Sequence, residues 1–379
     1  MIDRERLTNY PRMFAALYVL LGGWWILGGE GMLDRSGKNV GVDFVTFWAG
    51  SEAALAGRAA SVWDAFAMQA AQQAAIGAPI GPYAFHYPPT FLLLCLPLSW
   101  APYLVSFAIW CAAGTALYLA WARAAAPDPV TPGLALAFPG FFQNVLQGQN
   151  GLFTTALLGG ALWQLDARPA LAGVLLGVLS FKPHLAAAAF LAIAAGRRWR
   201  ALATAVATAG VLAVASYGVL GQDAWLAFAK NGAFAVRVLE TEGVLPWNRM
   251  PTVQVAAMLL GAPVAAARVL QAVAALAAAG AMVALWARGA SFTARAASLV
   301  GALFLVTPFA FDYDQALLAI PAAAIGWEVL QGRGRRGEGW LAVAAWIAPL
   351  AVPAIAGATR VQLGPALAAW LVVAAWRRG

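Results

Sequence analysis

Residues 170–200 read ALAGVLLGVLSFKPHLAAAAFLAIAAGRRWR. Two apolar runs flank a polar turn at 181–184, and three arginines close the segment between 197 and 200. In membrane proteins, Lys and Arg collect in the short loops that stay in the cytoplasm. The stretch is therefore typical of a hairpin of two short spans, with its polar turn on the outer side or in the outer half of the membrane.

The composition of the whole chain agrees with this hairpin. Of 379 residues, 62% are hydrophobic and 11% are charged, whereas a soluble domain has about 25% charged residues. A helix needs about 20 apolar residues to cross a bilayer. The composition excludes a soluble enzyme with a small anchor. It predicts an all-α polytopic membrane protein that forms a single integral membrane domain over residues 1–379, with about twelve transmembrane helices.

The basic residues predict the orientation. The formal net charge is +8, but the arginines lie in small groups between apolar runs, which favours positive-inside bias over a nucleic-acid surface. With both termini in the cytoplasm, the inner segments hold fifteen basic and six acidic residues, and the outer segments nine and ten. The two long loops, residues 30–89 and 221–250, then lie outside, and so we expect function to face outward.

Several breaks in the apolar runs are also predicted. Within the first outer loop, segments 44–56 and 62–76 mix apolar and polar residues, as in helices that lie in the membrane interface. The apolar run 90–121 is too long for one upright span, and Pro97 and Pro102 are its expected breaks. A second hairpin covers 132–165 and turns at residues 147–150.

Asp43 is the first candidate for chemistry. It lies in the stretch GVDFVTFW, residues 41–48, just before the first interfacial helix. Polar groups beside hydrocarbon are costly and are functional candidates for that reason. A carboxylate here could act as a general base whose pKa is set by burial. The same position is equally typical of a helix N-cap, and the local pattern leaves both interpretations open.

Lys182 and the histidines form a second group of candidates. Arginine outnumbers lysine by 21 to 3, and an ammonium in a hairpin turn suits a phosphate group at the membrane surface. A lysine that extends to the interface is the alternative. His86 and His184 are the two histidines of the sequence, and both are predicted outside. Either could be an ordinary packing residue, and their spacing predicts no metal site.

The tripeptide Asp312-Tyr313-Asp314 is a weaker signal. It resembles the DxD element with which nucleotide-sugar transferases hold a divalent cation. An ordinary helix start with acidic residues in its first turn explains it equally well.

The order of four short motifs resembles a known family. They are Gly-x-Asp-Phe at 41–44, Tyr-Pro-Pro at 87–89, Gly-Gln-Asn at 148–150 and Lys-Pro at 182–183. Together they resemble glycosyltransferase family 87, integral-membrane enzymes of the GT-C type that include polyprenol-phosphate-mannose-dependent mannosyltransferases. The resemblance extends from Gly41 to Tyr313. After Pro308 those mannosyltransferases carry histidines where this chain reads Phe-Asp-Tyr-Asp, which leaves the sugar and the acceptor open.

The resemblance implies an inverting transfer on the outer face, from a sugar linked to a polyprenyl monophosphate, without metal or another cofactor. It makes Asp43 the catalytic base and places Lys182, with His184, at the phosphate of the lipid-linked sugar. The remaining candidates for the sugar and acceptor pocket are Glu52, His86, Tyr87, Gln149, Asn150, Asp312, Tyr313 and Asp314. Glu52 and His86 are the next candidates for the base.

We therefore expect a GT-C-like glycosyltransferase of the bacterial cytoplasmic membrane, surrounded by membrane lipids. It would take a sugar from an undecaprenyl-type phosphate and pass it to a lipid or glycan acceptor outside. A transporter or lipid flippase is the main alternative, although a carrier should show internal repeats and polar residues at the midplane in both halves. An outer-facing acyltransferase is a further alternative, for which no signature is present. No nucleic-acid partner is expected.

The first prediction concerns topology. Because the arginines divide the chain into inner and outer segments, His86, Lys182 and Asp312 should all approach the external side. Single cysteines in the loops next to these residues, in a background lacking Cys95 and Cys111, should react with an impermeant thiol reagent in intact cells. Labelling near Lys182 only after the cells are opened would contradict the predicted topology.

Overall fold

The computed structural model describes residues 4–241 and 243–379, and throughout these ranges the chain is helical apart from loops and one isolated β-bridge, Leu33–Asn39. The first eight helices are α1 (Arg4–Leu27), α2 (Phe44–Leu55), α3 (Ala65–Ile76), α4 (Pro89–Cys95), α5 (Tyr103–Ala125), α6 (Thr131–Leu136), α7 (Pro139–Gln147) and α8 (Gly151–Gln164).

The second half of the chain continues in the same way. Its helices are α9 (Pro169–Val178), α10 (Pro183–Ala195), α11 (Trp199–Glu240), α12 (Val253–Leu259), α13 (Val264–Ala287), α14 (Phe292–Val306), α15 (Ala319–Leu330), α16 (Glu338–Thr359) and α17 (Gly364–Arg378). Short 3₁₀ segments join them at Ala59–Trp63, Leu96–Trp100, Leu179–Phe181, Trp247–Arg249 and Asp312–Leu318.

Four helices of the described ranges, α5, α11, α13 and α16, are long and apolar enough to cross a membrane. The shorter apolar stretches, of 10–17 residues, are 89–100, 169–181, α10 and α14. The apolar run 14–27 lies within α1, which has 24 residues. Large apolar side chains such as Leu276, 76% exposed, cover the outside of these helices, which suits a hydrocarbon solvent. The chain is thus an all-α membrane protein, and the count of twelve spans stays a prediction.

Most of the predicted breaks are found where the sequence indicated them. The run 90–121 is interrupted at Pro102, between the 3₁₀ segment after α4 and the start of α5. The two hairpins turn between α7 and α8 and between α9 and α10. The segments predicted as interfacial helices are α2 and α3 with the 3₁₀ segment before α3. Their angle to the membrane stays a prediction.

The segment predicted as the second outer loop, 221–250, is largely helical. Gly221 adopts φ 81° and ψ 169°, which breaks α11, and the helix resumes and continues to Glu240. Glycine tolerates this backbone conformation because it has no Cβ. Apolar residues such as Trp225 and Phe228 continue the helical pattern past the break. Glu242, within the predicted loop, lies outside the described residues.

Helix α14 lies at the centre of the core. Thirteen of its fifteen residues are buried, and it packs closely against α13 and α17. Gly301 allows this approach, since a Cβ there would lie 2.7 Å from the carbonyl oxygen of Ala368. Small residues also bring α9 against α11: a Cβ on Gly177 would lie 2.7 Å from the carbonyl oxygen of Ala205. Contact of this kind is typical of helices packed within a membrane.

Ion pairs hold one end of the bundle together. Asp166, just after α8, pairs with Arg198 and with Arg295 at the start of α14. Arg378 at the end of α17 pairs with Glu338 at the start of α16. The opposite ends of α8 and α14 meet the hairpin turn at 148–150 and the 3₁₀ segment at 312–318. Polar residues therefore occupy both ends of the bundle in separate groups.

The turn between α7 and α8 docks tightly on its neighbours. Gly148 ends α7 in the left-handed region at φ 62°, and a Cβ there would collide with the Cβ of Phe44. A Cβ on Gly151 would collide with the Asn144 side chain and lie 2.6 Å from the carbonyl oxygen of Tyr313. Glycine at these two places therefore determines how closely α8 approaches α2 and the 3₁₀ segment.

The second prediction concerns Gly151. Because its added Cβ has no room, Gly151→Ala should lower stability by about 1–3 kcal/mol through overpacking. Gly218→Ala is the matched control: Gly218 is also helical, and a Cβ there meets no atom within 4 Å. Thermal unfolding of the two purified variants in detergent tests this. Equal midpoints for the two variants would contradict the prediction.

Candidate functional site

Six separate parts of the chain meet at one end of the bundle. Each contributes polar side chains from a loop or a helix end: Asp43 before α2, Tyr87 before α4, Gln149 and Asn150 between α7 and α8, Lys182 before α10, Arg249 before α12, and Asp312 to Asp314 after α14. All but Arg249 were candidates from the sequence. The structure brings them together from positions up to 271 residues apart in the chain.

Asp43 occupies the N-cap position of α2, but its side chain makes no capping hydrogen bond. Its Oδ2 instead accepts a hydrogen bond from Gln149 Nε2 at 2.8 Å, and its backbone N–H donates to the carbonyl oxygen of Gln147 at 2.9 Å. Burial raises the pKa of the Asp43 carboxyl, while the hydrogen bond from Gln149 and the charge of Arg249 oppose that rise. The carboxylate is therefore hydrogen-bonded to the turn between α7 and α8 and does not cap its own helix.

Gln149 connects Asp43 to Tyr87. It is 7% exposed, and while its Nε2 serves Asp43, its Oε1 accepts from the Tyr87 hydroxyl at 3.3 Å. The left-handed Gly148 next to it brings the turn against the start of α2, which places Gln149 opposite Asp43. Both ends of the amide are used, and this orients the carboxylate.

Aromatic rings fill the space between Asp43 and Lys182. The ring of Tyr87 lies 5.6 Å from that of Phe47 and 4.4 Å from that of Phe91, measured between centroids. Phe91 in turn stacks on Phe181, the neighbour of Lys182, at 4.9 Å. This cluster is apolar apart from the Tyr87 hydroxyl, and so it lowers the local dielectric around the polar groups.

Lys182 forms a buried ion pair with Asp314. Its Nζ lies 2.5 Å from Asp314 Oδ1, and the two side chains are only 2% and 4% exposed. Asp314 Oδ2 accepts from the backbone N–H of Phe311 at 3.0 Å, and the ammonium lies 5.4 Å from the centre of the Tyr313 ring. An interfacial lysine would extend into solvent, and so the burial of Lys182 argues against that alternative.

Arg249 is the residue of this site that the sequence analysis missed. Its Nε and Nη2 donate to the two carboxylate oxygens of Asp312 at 2.8 and 2.9 Å, and Nη2 also donates to Gln147 Oε1 at 2.5 Å. The pair is bidentate, the strongest geometry available to these groups. The signal in the sequence was slight: an acidic residue in an apolar setting needs a cation, and Arg249 stands in an outer segment.

The side chain of Asn150 is buried beside the Tyr87 hydroxyl. It is 1% exposed, and neither its side-chain oxygen nor its nitrogen makes a hydrogen bond within the described residues, although the Tyr87 hydroxyl lies nearby. Leaving such a group unpaired costs about 1–3 kcal/mol. Asn144, one helix away, is by contrast fully bonded to Gly140, Gly151 and Tyr313. Asn150 is therefore suited to bind a polar ligand.

The remaining sequence candidates lie apart or at the edge. Glu52 is exposed on α2, and His86 is exposed just before α4. Within the described residues, neither side chain forms a hydrogen bond. His184 is half-buried next to Lys182, and its Nε2 is buried and unpaired. Tyr313 stacks on Phe311 at 5.5 Å. Of the first three, only His184 adjoins the ion pairs.

The two aspartates of the tripeptide 312–314 are each paired with a cation. Asp312 is bound by Arg249 and Asp314 by Lys182. Across residues 4–241 and 243–379, no three His, Cys, Asp or Glu side chains cluster in a way that could hold a metal ion. One short segment of chain thus contacts two cationic side chains.

The sequence model of glycosyltransferase family 87 matches residues 85–308, which is more than half of the chain. No curated protein and no solved structure matches. The matched range includes Tyr87, the hairpin turn, Lys182 and Arg249, whereas Asp43 lies well before it and the tripeptide 312–314 follows shortly after its end.

The third prediction concerns the Lys182–Asp314 pair. Lys182→Met leaves a buried carboxylate without its cation, and it should destabilise the protein by about 3–5 kcal/mol. The double variant Lys182→Met, Asp314→Leu removes both charges and should recover most of that loss. Thermal or denaturant unfolding of both variants in detergent measures the difference. If the double variant were no more stable than the single one, the ion pair would not account for the burial of Lys182.

Proposed function

The chain belongs to glycosyltransferase family 87, and on that premise we propose that it transfers a sugar from a polyprenyl-phosphate carrier to a lipid or glycan acceptor. We place the reaction on the outer face of a bacterial cytoplasmic membrane, with both termini inside. Membership of this family favours glycosyl transfer over the transporter, flippase and acyltransferase alternatives.

The observation that carries the proposed mechanism is the state of Asp43. Three carboxylates meet at the site, and within the described chain Asp312 and Asp314 are salt-bridged while Asp43 is not. Within the described residues the carboxylate of Asp43 accepts one hydrogen bond, from a neutral amide, and does not cap its helix. It is thus the carboxylate best able to take up a proton, and burial raises its pKa in the direction that a general base requires.

The reaction is a single displacement. The acceptor hydroxyl attacks the anomeric carbon as Asp43 takes the hydroxyl proton, and a bond forms between the acceptor oxygen and that carbon. The bond from the anomeric carbon to the phosphate oxygen breaks, and its electron pair leaves with the polyprenyl phosphate. Attack opposite the leaving group inverts the configuration. The proton ends on Asp43, and water accepts it in the next cycle.

Cations support the departing phosphate. We assign this role to Lys182, with His184 beside it. The Lys182 ammonium has three N–H donors, and Asp314 uses one of them within the described residues. The unpaired Nε2 of His184 offers a further polar atom. Positive charge at this place stabilises the negative charge that develops on the phosphate, and no metal ion is required for that purpose.

The sugar is held by neutral groups. The unpaired amide of Asn150 can bond a hydroxyl through both its oxygen and its nitrogen. Gln149, Tyr87 and Tyr313 line the same place and offer polar atoms and ring faces. The carboxylates Asp312 and Asp314 hold the cations in position and adjoin the pocket.

The fourth prediction tests Asp43 as the base. Asp43→Asn keeps the size of the side chain and can still bond to Gln149, but it cannot accept a proton at neutral pH. Transfer should fall by about 10²–10⁴-fold, the usual loss of a positioned base, while binding of the lipid-linked sugar persists. The measurement is single-turnover transfer from a purified polyprenyl-phosphate sugar, with binding measured on the same preparation.

Glu52→Gln serves as the matched control, because Glu52 is an exposed carboxylate of the adjoining helix α2. It should leave transfer close to that of the unmodified protein. Near-normal transfer by Asp43→Asn would remove Asp43 from the mechanism.

A further inference from the structure

The two cations of the site differ in what a ligand can reach. The Lys182 side chain is 2% exposed, whereas that of Arg249 is 32% exposed. Both are paired with a carboxylate, and the two carboxylates stand two residues apart on the same 3₁₀ segment. A ligand that approaches from outside the protein therefore meets Arg249 before Lys182.

Only part of the Arg249 guanidinium is hydrogen-bonded within the described residues. Nε and Nη2 are occupied by Asp312, and Nη2 also by Gln147. Nη1, with two N–H donors, donates to no atom of the residues that the structure describes. A guanidinium fixed along one edge by a carboxylate and an amide loses little further freedom when its other edge binds a ligand.

Arg249 lies close enough to Asp43 to interact with it electrostatically. Its charge acts on Asp43 and on Asp312, and the exposed Lys38 also acts on Asp43. The backbone carbonyl of Gln147, whose side chain Arg249 bonds, holds the backbone of Asp43. The guanidinium is thus fixed, through Nη2, by the same turn that holds the base.

We propose that Arg249 binds the phosphate of the polyprenyl carrier through its Nη1 edge, with Asp312 and Gln147 as the residues that position it. This rests on the proposed function and adds a phosphate-binding residue outside α10. An N–H of the guanidinium forms a strong, charge-assisted hydrogen bond with a phosphate oxygen, and the phosphate then lies against the segment that holds both cations. Arg249 needs no release from Asp312 to bind it.

The test compares undecaprenyl phosphate with undecaprenol, which lacks the phosphate. Binding of each to the full-length protein in lipid nanodiscs is measured by native mass spectrometry. The unmodified protein should prefer the phosphate, and Arg249→Gln should lose at least about tenfold of that preference, as expected for hydrogen bonds to a charged group. Arg249→Lys should keep only part of it, because an ammonium cannot be held along one edge.

Two further variants keep the result interpretable. Arg249→Gln leaves Asp312 buried and unpaired, and so the double variant Arg249→Gln, Asp312→Asn removes both charges. It should fold like the unmodified protein and still lose the preference. Arg268→Gln is the control, since Arg268 forms a comparable pair with Glu240 on an exposed surface, and it should leave the preference unchanged.

The outcomes separate the two proposals. If the unmodified protein prefers the phosphate and the double variant does too, the role of Arg249 is overturned and the proposed function stands. If the unmodified protein shows no preference for the phosphate, the polyprenyl-phosphate carrier itself is overturned, and with it the inference.

Discussion

The site depends on one electrostatic constraint: carboxylates placed against an apolar core need cations, and there are fewer cations than carboxylates. Arg249 and Lys182 form ion pairs with Asp312 and Asp314, whereas no cation of residues 4–241 and 243–379 forms one with Asp43. A half-buried carboxylate without a cation beside it is costly, and it lowers that cost by holding a proton more readily. The shortage of cations therefore makes Asp43 the carboxylate that takes up a proton most readily. The rest of the site maintains this arrangement of charges.

The short hairpins maintain this arrangement of charges. The turn after α7 brings Gln149 to Asp43, Asn144 to the backbone of Tyr313, and Gln147 to Arg249. A regular helix would satisfy its own backbone and leave these side chains spread over its surface. A break at a glycine places three amides close together, and each fixes a different element.

The sequence indicated much of this arrangement and missed a definite part. Hairpin turns and the break at Pro102 follow from local residue types, and so they were predictable. The bond from Gln149 to Asp43 was not visible as a contact, but the motif order indicated both residues. Arg249 lies 63 residues from Asp312 and Lys182 lies 132 from Asp314. Contacts between residues so far apart in the sequence depend on tertiary packing, which local sequence patterns do not reveal. The helical stretch after Gly221 was missed because a glycine and polar residues there resemble a loop.

The contact between α9 and α11 bears on how substitutions in this protein are to be interpreted. Gly173 and Gly177 lie one helical turn apart, and each faces a backbone carbonyl of α11, at Ala201 and Ala205, with no room for a methyl group. Helix α9 leads directly to Phe181 and Lys182. A survey of random substitutions would find these glycines as intolerant as the polar residues of the site, although they touch no ligand. Intolerance to substitution in α9 would then reflect the close packing of two helices. Separate measurements of folding and of turnover would distinguish these glycines from the polar residues of the site.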